Sequence, residues 1–203
     1  MNLLDSKHIP RIEPDLVAAY GTLATSLISD ILDRLTGLCG LRPYHAGGRM
    51  VGTALTVKTR EGDNKAIHDA LEIAQPGDVI VVDGAGDVTR ALIGEIVAER
   101  GLAIGVAGFV VDGAIRDVET IARMDIPCYA RSVSHLGPYK TGPGRINQPI
   151  ACGGSVVNPG DLVVGDADGV IALSPATARR IIDDVRALEA AEITKIADLR
   201  NRS

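Results

Sequence analysis

From Pro14 to Leu35 the apolar positions Leu16, Val17, Tyr20, Leu23, Ala24, Leu27, Ile28 and Ile31 recur at intervals of three and four. That is the spacing of one helix face. Gly21 and the stretch from Thr22 to Ser26 interrupt it, so two helices or one broken helix are predicted. Residues 52–59 read as a strand through Ala54-Leu55-Thr56-Val57. Asp63-Asn64 can cap a following helix striped by Ala66, Ile67, Ala70, Leu71 and Ala74. Pro76-Gly77-Asp78 then turns the chain into Val79-Ile80-Val81-Val82, a short apolar run suited to a strand buried on both faces. A second apolar helix is expected over 91–100, a strand over 108–111, a short helix over 116–124 and a strand over 127–130.

After Ser132 the pattern changes. Residues 134–148 hold Gly137, Pro138, Gly142, Pro143 and Gly144 and read as a loop or hairpin arm. Strand signals follow at 155–157, 162–164 and 170–173. Ser174-Pro175 opens a long terminal helix striped by Ala178, Ile181, Ile182, Val185, Leu188 and Ala191. Helices and strands alternate early and strands cluster late, which suits a layered α/β sandwich better than a pure doubly wound sheet. One domain over 1–203 is expected, with its core at about 15–175 and a C-terminal helix at about 175–200. Pro76-Gly77-Asp78-Val79-Ile80-Val81-Val82-Asp83 is echoed by Pro159-Gly160-Asp161-Leu162-Val163-Val164-Gly165-Asp166. Shared turn chemistry explains the echo more simply than duplication.

Composition narrows the function. One Phe, four Tyr and no Trp leave little for stacking on nucleobases, so the core must be aliphatic. The net charge is −5 and the 21 basic residues are scattered, which disfavours nucleic acid as a partner. Met1-Asn2-Leu3-Leu4-Asp5 is not a secretory n-region, and no apolar stretch has spanning length, so a soluble cytoplasmic protein is expected. Cys39, Cys128 and Cys152 are far apart and odd in number, against a disulfide framework. A nucleophilic cysteine working with His135 or His68 is the less favoured reading; small buried thiols are the commoner outcome.

Several motifs have bland readings. Gly84-Ala85-Gly86 lacks the third glycine of a dinucleotide fingerprint, since Thr89 stands there, and reads as a tight strand-to-helix turn. Asp166-Ala167-Asp168-Gly169 lacks calcium ligands at the right offsets and reads as a hairpin turn. No histidine pair has zinc spacing. The richest constellation is Gly94-Glu95, then twenty residues, then Arg116-Asp117. Each acid follows a predicted buried strand, so both can reach one sheet edge. Spacing alone fits a plain helix start at Arg116-Asp117, with Asp favoured by the dipole. The same pair also suits a keto-acid site: Arg offers a fork to a carboxylate, and Asp a hard oxygen to Mg²⁺.

Val81-Val82-Asp83-Gly84, Gly94-Glu95-Ile96-Val97-Ala98 and Val110-Val111-Asp112-Gly113-Ala114-Ile115-Arg116-Asp117 together resemble the family of the 4-hydroxy-4-methyl-2-oxoglutarate aldolases and the regulator of ribonuclease activity A. Gly62-Asp63-Asn64 with His68, both Pro-Gly-Asp strands and Gly165-Asp166-Ala167-Asp168-Gly169-Val170 add to the likeness, which covers roughly residues 15–175. The resemblance implies an α-β-β-α sandwich of the swivelling β/β/α type with helical terminal segments. It also implies a class II pyruvate aldolase with oxaloacetate decarboxylase activity, dependent on Mg²⁺ or Mn²⁺ and built as a trimer or a hexamer of trimers. In that reading the backbone of Gly94, Glu95, Ile96 and Val97 receives the substrate carboxylate, and Arg116 holds keto or carboxylate oxygens. Asp117 binds the metal directly, Glu95 binds it through water, and Glu192 or Glu189 of a neighbouring subunit completes the site. The alternative is a non-catalytic regulator that binds a ribonuclease or another protein. Retention of Asp117, which the enterobacterial regulator lacks, shifts the balance towards an enzyme.

The chemical rival is a Schiff-base aldolase. Of the five lysines, Lys7, Lys58, Lys65, Lys140 and Lys195, Lys58 on its predicted strand is the tempting nucleophile, although a structural or electrostatic role suits it better. A methyltransferase reading has no support from the incomplete glycine pattern.

Overall fold

The computed structural model describes residues 10–202, so the N-terminal pentapeptide and Lys7 lie outside the described residues. The apolar stretch from Pro14 resolves into two helices, α1 (Pro14–Tyr20) and α2 (Thr25–Ile31). After β1 (Arg42–Pro43) come β2 (Met50–Thr59), α3 (Lys65–Leu71), β3 (Asp78–Asp83), β4 (Ala91–Ile93), α4 (Glu95–Ile104) and β5 (Gly108–Ile115). Then follow α5 (Val118–Ile121), β6 (Cys128–Val133), β7 (Gly144–Ile146), β8 (Ile150–Cys152), β9 (Ser155–Val157), β10 (Leu162–Gly165), β11 (Val170–Leu173) and α6 (Pro175–Arg200).

One mixed sheet carries the order β1-β6-β5-β3-β2-β10-β11, with β4 added on β5 and β7 on β2. Its centre is parallel: β2 with β3, β3 with β5, and β5 with both β4 and β6. Its flanks are antiparallel through β1, β7, β10 and β11. This is the α/β fold expected from the resemblance: a curled mixed sheet between N- and C-terminal helices.

Alternation along the central strands sorts their side chains into two cores. Leu55, Val57, Ile80, Val82, Phe109 and Val111 pack with α3, α4 and α5 on one face. Ala54, Val79, Val81 and Val110 pack on the other, with Ile150, Cys152 and Val157 of the β8–β9 hairpin. A third core joins α1, α2 and α6 to β10 and β11. Each core has one fully buried aromatic ring, Phe109, Tyr129 and Tyr20 respectively. Both tyrosine hydroxyls are matched, Tyr20 donating to the Ala178 carbonyl and Tyr129 to that of Asp166, each at 2.9 Å. Burial pushes the Tyr20 hydroxyl up to about 12.

The two Pro-Gly-Asp segments share one turn. Gly77 and Gly160 lie at φ 81° and 84°, and each aspartate accepts the N–H three residues back, Asp78 from Gln75 and Asp161 from Asn158, both at 2.8 Å. The strands they feed differ in direction, since β3 runs parallel to β2 and β10 antiparallel to it. Turn chemistry therefore accounts for the echo.

Four expectations are corrected. Residues 91–93 are strand β4, and the helix begins only at Glu95, because Gly94 is extended at φ −153° and breaks the run. Gly84-Ala85-Gly86 accordingly joins strand to strand. Arg116 and Asp117 stand outside the short helix α5, with Asp117 as its N-cap in the left-handed region at φ 57°. Cys39 is exposed, whereas Cys128 and Cys152 are buried as expected. Asp166 to Gly169 is a hairpin turn, as read. Among the described residues no helix is long and apolar enough to cross a membrane.

Candidate functional site

Strands β4 and β5 run parallel, with Ile93 beside Ile115, so the residues that follow them emerge at one edge. There the Arg116 N–H donates to the Ile93 carbonyl at 3.0 Å. Asp117 Oδ2 accepts the Glu95 N–H at 3.0 Å and lies 3.5 Å from Arg116 Nε. The two halves of the motif, twenty residues apart in sequence, thus meet backbone to side chain. Gly94 permits this: a Cβ there would lie 2.5 Å from Asp117 Oδ2 and 2.9 Å from Arg116 Cγ.

Beside this junction is a small cleft of about 60 Å³ lined by Asn64, His68, Gly94, Ile96, Arg116 and Lys140, among others. Asn64 caps the start of α3, His68 lies in its last turn, and Lys140 comes from the arm over 134–148. That arm folds back on its own chain. The Tyr139 N–H donates to the Gly62 carbonyl at 2.8 Å, and the Asn64 N–H to the Tyr139 carbonyl at 3.0 Å. The wholly buried Asp63 carboxylate accepts the N–H groups of Lys65, Thr141 and Gly142 at 2.9, 2.9 and 2.6 Å, and Arg60 at 3.1 Å. Burial pushes its pKa up, but those donors outweigh it and hold the group below the usual carboxylate value. Arg60 and Arg90 also approach the Tyr139 ring, at 5.6 and 4.3 Å.

The pKa of His68 is lowered by burial and by Arg100 and Lys140, which favours the neutral ring. Its Nδ1 lies 3.1 Å from Arg100 Nη1. Guanidinium can only donate, so Nδ1 accepts and the ring proton sits on Nε2. The cleft therefore gathers hydrogen-bond donors from Arg116, Lys140 and His68 next to a helix N-terminus, an environment for an anion.

The first turn of α4 is partly committed. Glu95 N–H serves Asp117, and the N–H groups of Val97 and Ala98 both serve the Gly94 carbonyl. Ile96 N–H remains as the first-turn donor for a ligand. On α6, Glu189 is half-buried and Glu192 exposed, and neither lines the cleft of its own chain. Among the described residues no three His, Cys, Asp or Glu side chains converge as a metal nest. The oxygen set still suits Mg²⁺, which is commonly held by one or two carboxylates with substrate and water filling the remaining positions. Asp117 has one oxygen anchored by the Glu95 N–H and a side chain 39% exposed.

Lys58, the lysine singled out by its strand position, is elsewhere. Its Nζ pairs with Asp83 at 2.7 Å in a second, larger cleft of about 480 Å³ that also holds Asp112 and Arg131. Lys140 is the lysine in the smaller cleft. The sequence reading of the arm as a loop has no signal for its approach to α3, because the ties are long-range.

The family model described as "RraA-like: Aldolase/RraA" matches residues 25–172. A protein of Halalkalibacterium halodurans named "Putative 4-hydroxy-4-methyl-2-oxoglutarate aldolase" is 42% identical over 88% of this chain and 85% of its own. The crystal structure of Streptomyces coelicolor RraAS2, titled an unusual member of the RNase ES inhibitor RraA protein family, superposes with a TM-score of 0.83 at 27% identity, over 92% of this chain and 98% of that one. An uncharacterized protein from Pseudomonas syringae pv. tomato matches at TM-score 0.85 and 28% identity, over 97% and 93% of the two chains. Sequence match and fold agree: the chain belongs to the RraA-like family of aldolases and RraA proteins.

Proposed function

We propose that the cleft beside Arg116 and Asp117 is the active site of a divalent-metal-dependent lyase. It releases pyruvate from 4-hydroxy-2-keto diacids of the 4-hydroxy-4-methyl-2-oxoglutarate type and decarboxylates oxaloacetate. The observation that carries this reading is the junction itself: parallel strands bring Arg116 and Asp117 onto the first turn of α4, beside a cleft rich in cationic donors.

In this reading the substrate's C1 carboxylate meets the Ile96 N–H and the Arg116 guanidinium. Asp117 directly, and Glu95 through water, would hold Mg²⁺ or Mn²⁺, which supplies Lewis acidity toward the 2-keto acid. Retro-aldol cleavage breaks the C3–C4 bond, and its electron pair moves into the C2–C3 enolate of pyruvate. The C4 hydroxyl loses its proton and becomes the carbonyl of the departing fragment, while C3 takes up a proton. In oxaloacetate the same electron pair is released by loss of CO₂. Arg116 stabilises the enolate oxygen in both reactions.

A second copy of the chain completes this picture. Ile193, Ile196 and Leu199 on the last turns of α6 are 63%, 46% and 58% exposed, an apolar stripe that an oligomer would cover. Glu189 and Glu192 lie on the same stretch, from which one of them would reach a neighbour's Asp117 in a trimer or hexamer.

A pyruvate-release assay on oxaloacetate and 4-hydroxy-4-methyl-2-oxoglutarate, with Mg²⁺ or Mn²⁺ and then with EDTA, tests the reading. Metal-dependent release supports it. Activity that survives EDTA, with borohydride trapping of pyruvate on Lys140 or Lys58, would replace it with a Schiff-base mechanism. No release from either acid, together with capture of a ribonuclease, would replace it with the regulator.

A further inference from the structure

Asn64 stands at the N-cap of α3, where an asparagine side chain ordinarily accepts a backbone N–H of the first turn. Here it does not. Asp63 Oδ1 takes the Lys65 N–H instead, and the Asn64 main-chain carbonyl takes those of Ile67 and His68, at 3.1 and 3.2 Å. The Asn64 side chain turns to β4, where Nδ2 donates to the Leu92 carbonyl at 3.0 Å. That bond fixes which end of the amide is nitrogen. Oδ1 is left buried with no hydrogen-bond partner among the described residues, in a residue only 4% exposed. An unanswered buried acceptor has lost its water and gained nothing in return, so its retention in a cleft wall calls for a ligand-borne donor.

The surrounding chemistry says which donor. Asn64 lines the cleft together with Arg116, Lys140 and His68, whose Nε2 carries its proton, and all three donate. A carboxylate satisfies those three and cannot satisfy Asn64 Oδ1. A hydroxyl can. We infer that Asn64 is the specificity residue that accepts the substrate hydroxyl, selecting 4-hydroxy-2-keto acids over keto acids without one. This rests on the lyase reading above and adds to it the residue that separates its two reactions.

The test is the ratio of the two activities in single variants, measured on the metal-loaded protein. Asn64→Leu removes the acceptor at similar volume. It is expected to lower kcat/KM for 4-hydroxy-2-oxoglutarate relative to that for oxaloacetate by about 10- to 100-fold, because a polar group built to read a substrate hydroxyl discriminates strongly. Asn64→Asp keeps an acceptor oxygen and loses the Leu92 tether. It is expected to keep the ratio within about threefold of wild type, even where both rates fall. Equal losses on both substrates in Asn64→Leu would make Asn64 a structural tether and overturn the inference. A collapsed ratio in Asn64→Asp would do the same. If wild type releases pyruvate from neither acid, the lyase reading falls first and takes this inference with it.

Discussion

The cleft beside Arg116 and the larger one beside Lys58 differ in a way that size conceals. The larger one holds a row of four charges on adjacent strands, with Lys58 beside Asp83 and Asp83 beside Asp112 in register, and Arg131 on β6. Every charge in it is answered. Lys58 meets Asp83 at 2.7 Å and Arg131 meets Asp112 at 2.6 Å. The N–H of Ala85 donates to Asp83 at 2.9 Å, and that of Gly153 to Asp112 at 2.7 Å. These bonds tie the β8–β9 hairpin and the 84–86 turn to the sheet. In the smaller cleft, among the described residues, the Arg116 side chain has only a 3.5 Å approach to Asp117, and Asn64 Oδ1 has no partner. Saturated polar groups build a scaffold, whereas unanswered ones wait for a ligand.

The sharpest separation should come from exchanging roles between the clefts. Asp117→Ala is expected to lower metal-dependent pyruvate release by about 100-fold or more at a cost of only a few degrees in melting temperature, from the lost Glu95 N–H bond and the left-handed backbone, since the side chain is 39% exposed. Asp112→Ala should do the reverse. It leaves Arg131 and the Gly153 N–H without their carboxylate, at a loss of about 3 kcal/mol in denaturant titration, with kcat per folded molecule unchanged. Unchanged activity in Asp117→Ala would remove it as metal ligand, and a dead but stable Asp112→Ala would move the chemistry to the larger cleft.

Next in size is the strap over the smaller cleft. Replacing Asp63 by Ala removes the acceptor for three N–H groups and Arg60, so a loss of about 2–3 kcal/mol is expected, with a raised KM as Lys140 loses its anchor. The lowered pKa of Asp63 gives this a pH signature. Its stabilisation is complete above the ordinary carboxylate value and fades as pH falls through the lower folded value. Asp63→Asn should therefore flatten the acid limb of the stability curve, and an unaltered limb would show that Asp63 does not hold the strap.

The same contrast explains what sequence could reveal. The helices α1, α2 and α6 were legible because their burial follows a period over many residues, and β3 and β5 because they are unbroken apolar runs. Strand β4 was not: three apolar residues before an apolar helix have no period of their own, and only Gly94 separates them. Arg116, Asp117 and Glu95 stood out through motif likeness, and parallel pairing brings them together. Lys140 and the orphaned Asn64 oxygen had no local signal, since their place depends on Asp63 folding the 134–148 arm back onto α3. The four-charge row is likewise a property of register across strands, invisible along any one of them.

A smaller effect is expected at His68. Its proton sits on Nε2, which Gln can imitate with its amide N–H, so His68→Gln should keep kcat/KM within about threefold and His68→Phe should lose about tenfold. Burial first, and then Arg100 and Lys140, lower its pKa, so the ring stays neutral to a lower pH than an ordinary histidine. Equal losses in both variants would mean the ring packs rather than donates.

The smallest effect is the most pointed, because it concerns the lysine that sequence position favoured. Lys58 is 43% exposed and its partner Asp83 keeps the Ala85 N–H, so Lys58→Met should cost under about 1 kcal/mol. Screening makes it smaller still at high salt. Pyruvate release should be unaffected, since Lys58 shares no cleft with Arg116. A Lys58→Met protein that folds normally yet releases no pyruvate would mean that a paired charge in the larger cleft is chemically active. The distinction between answered and unanswered groups would then fail as a guide to this molecule.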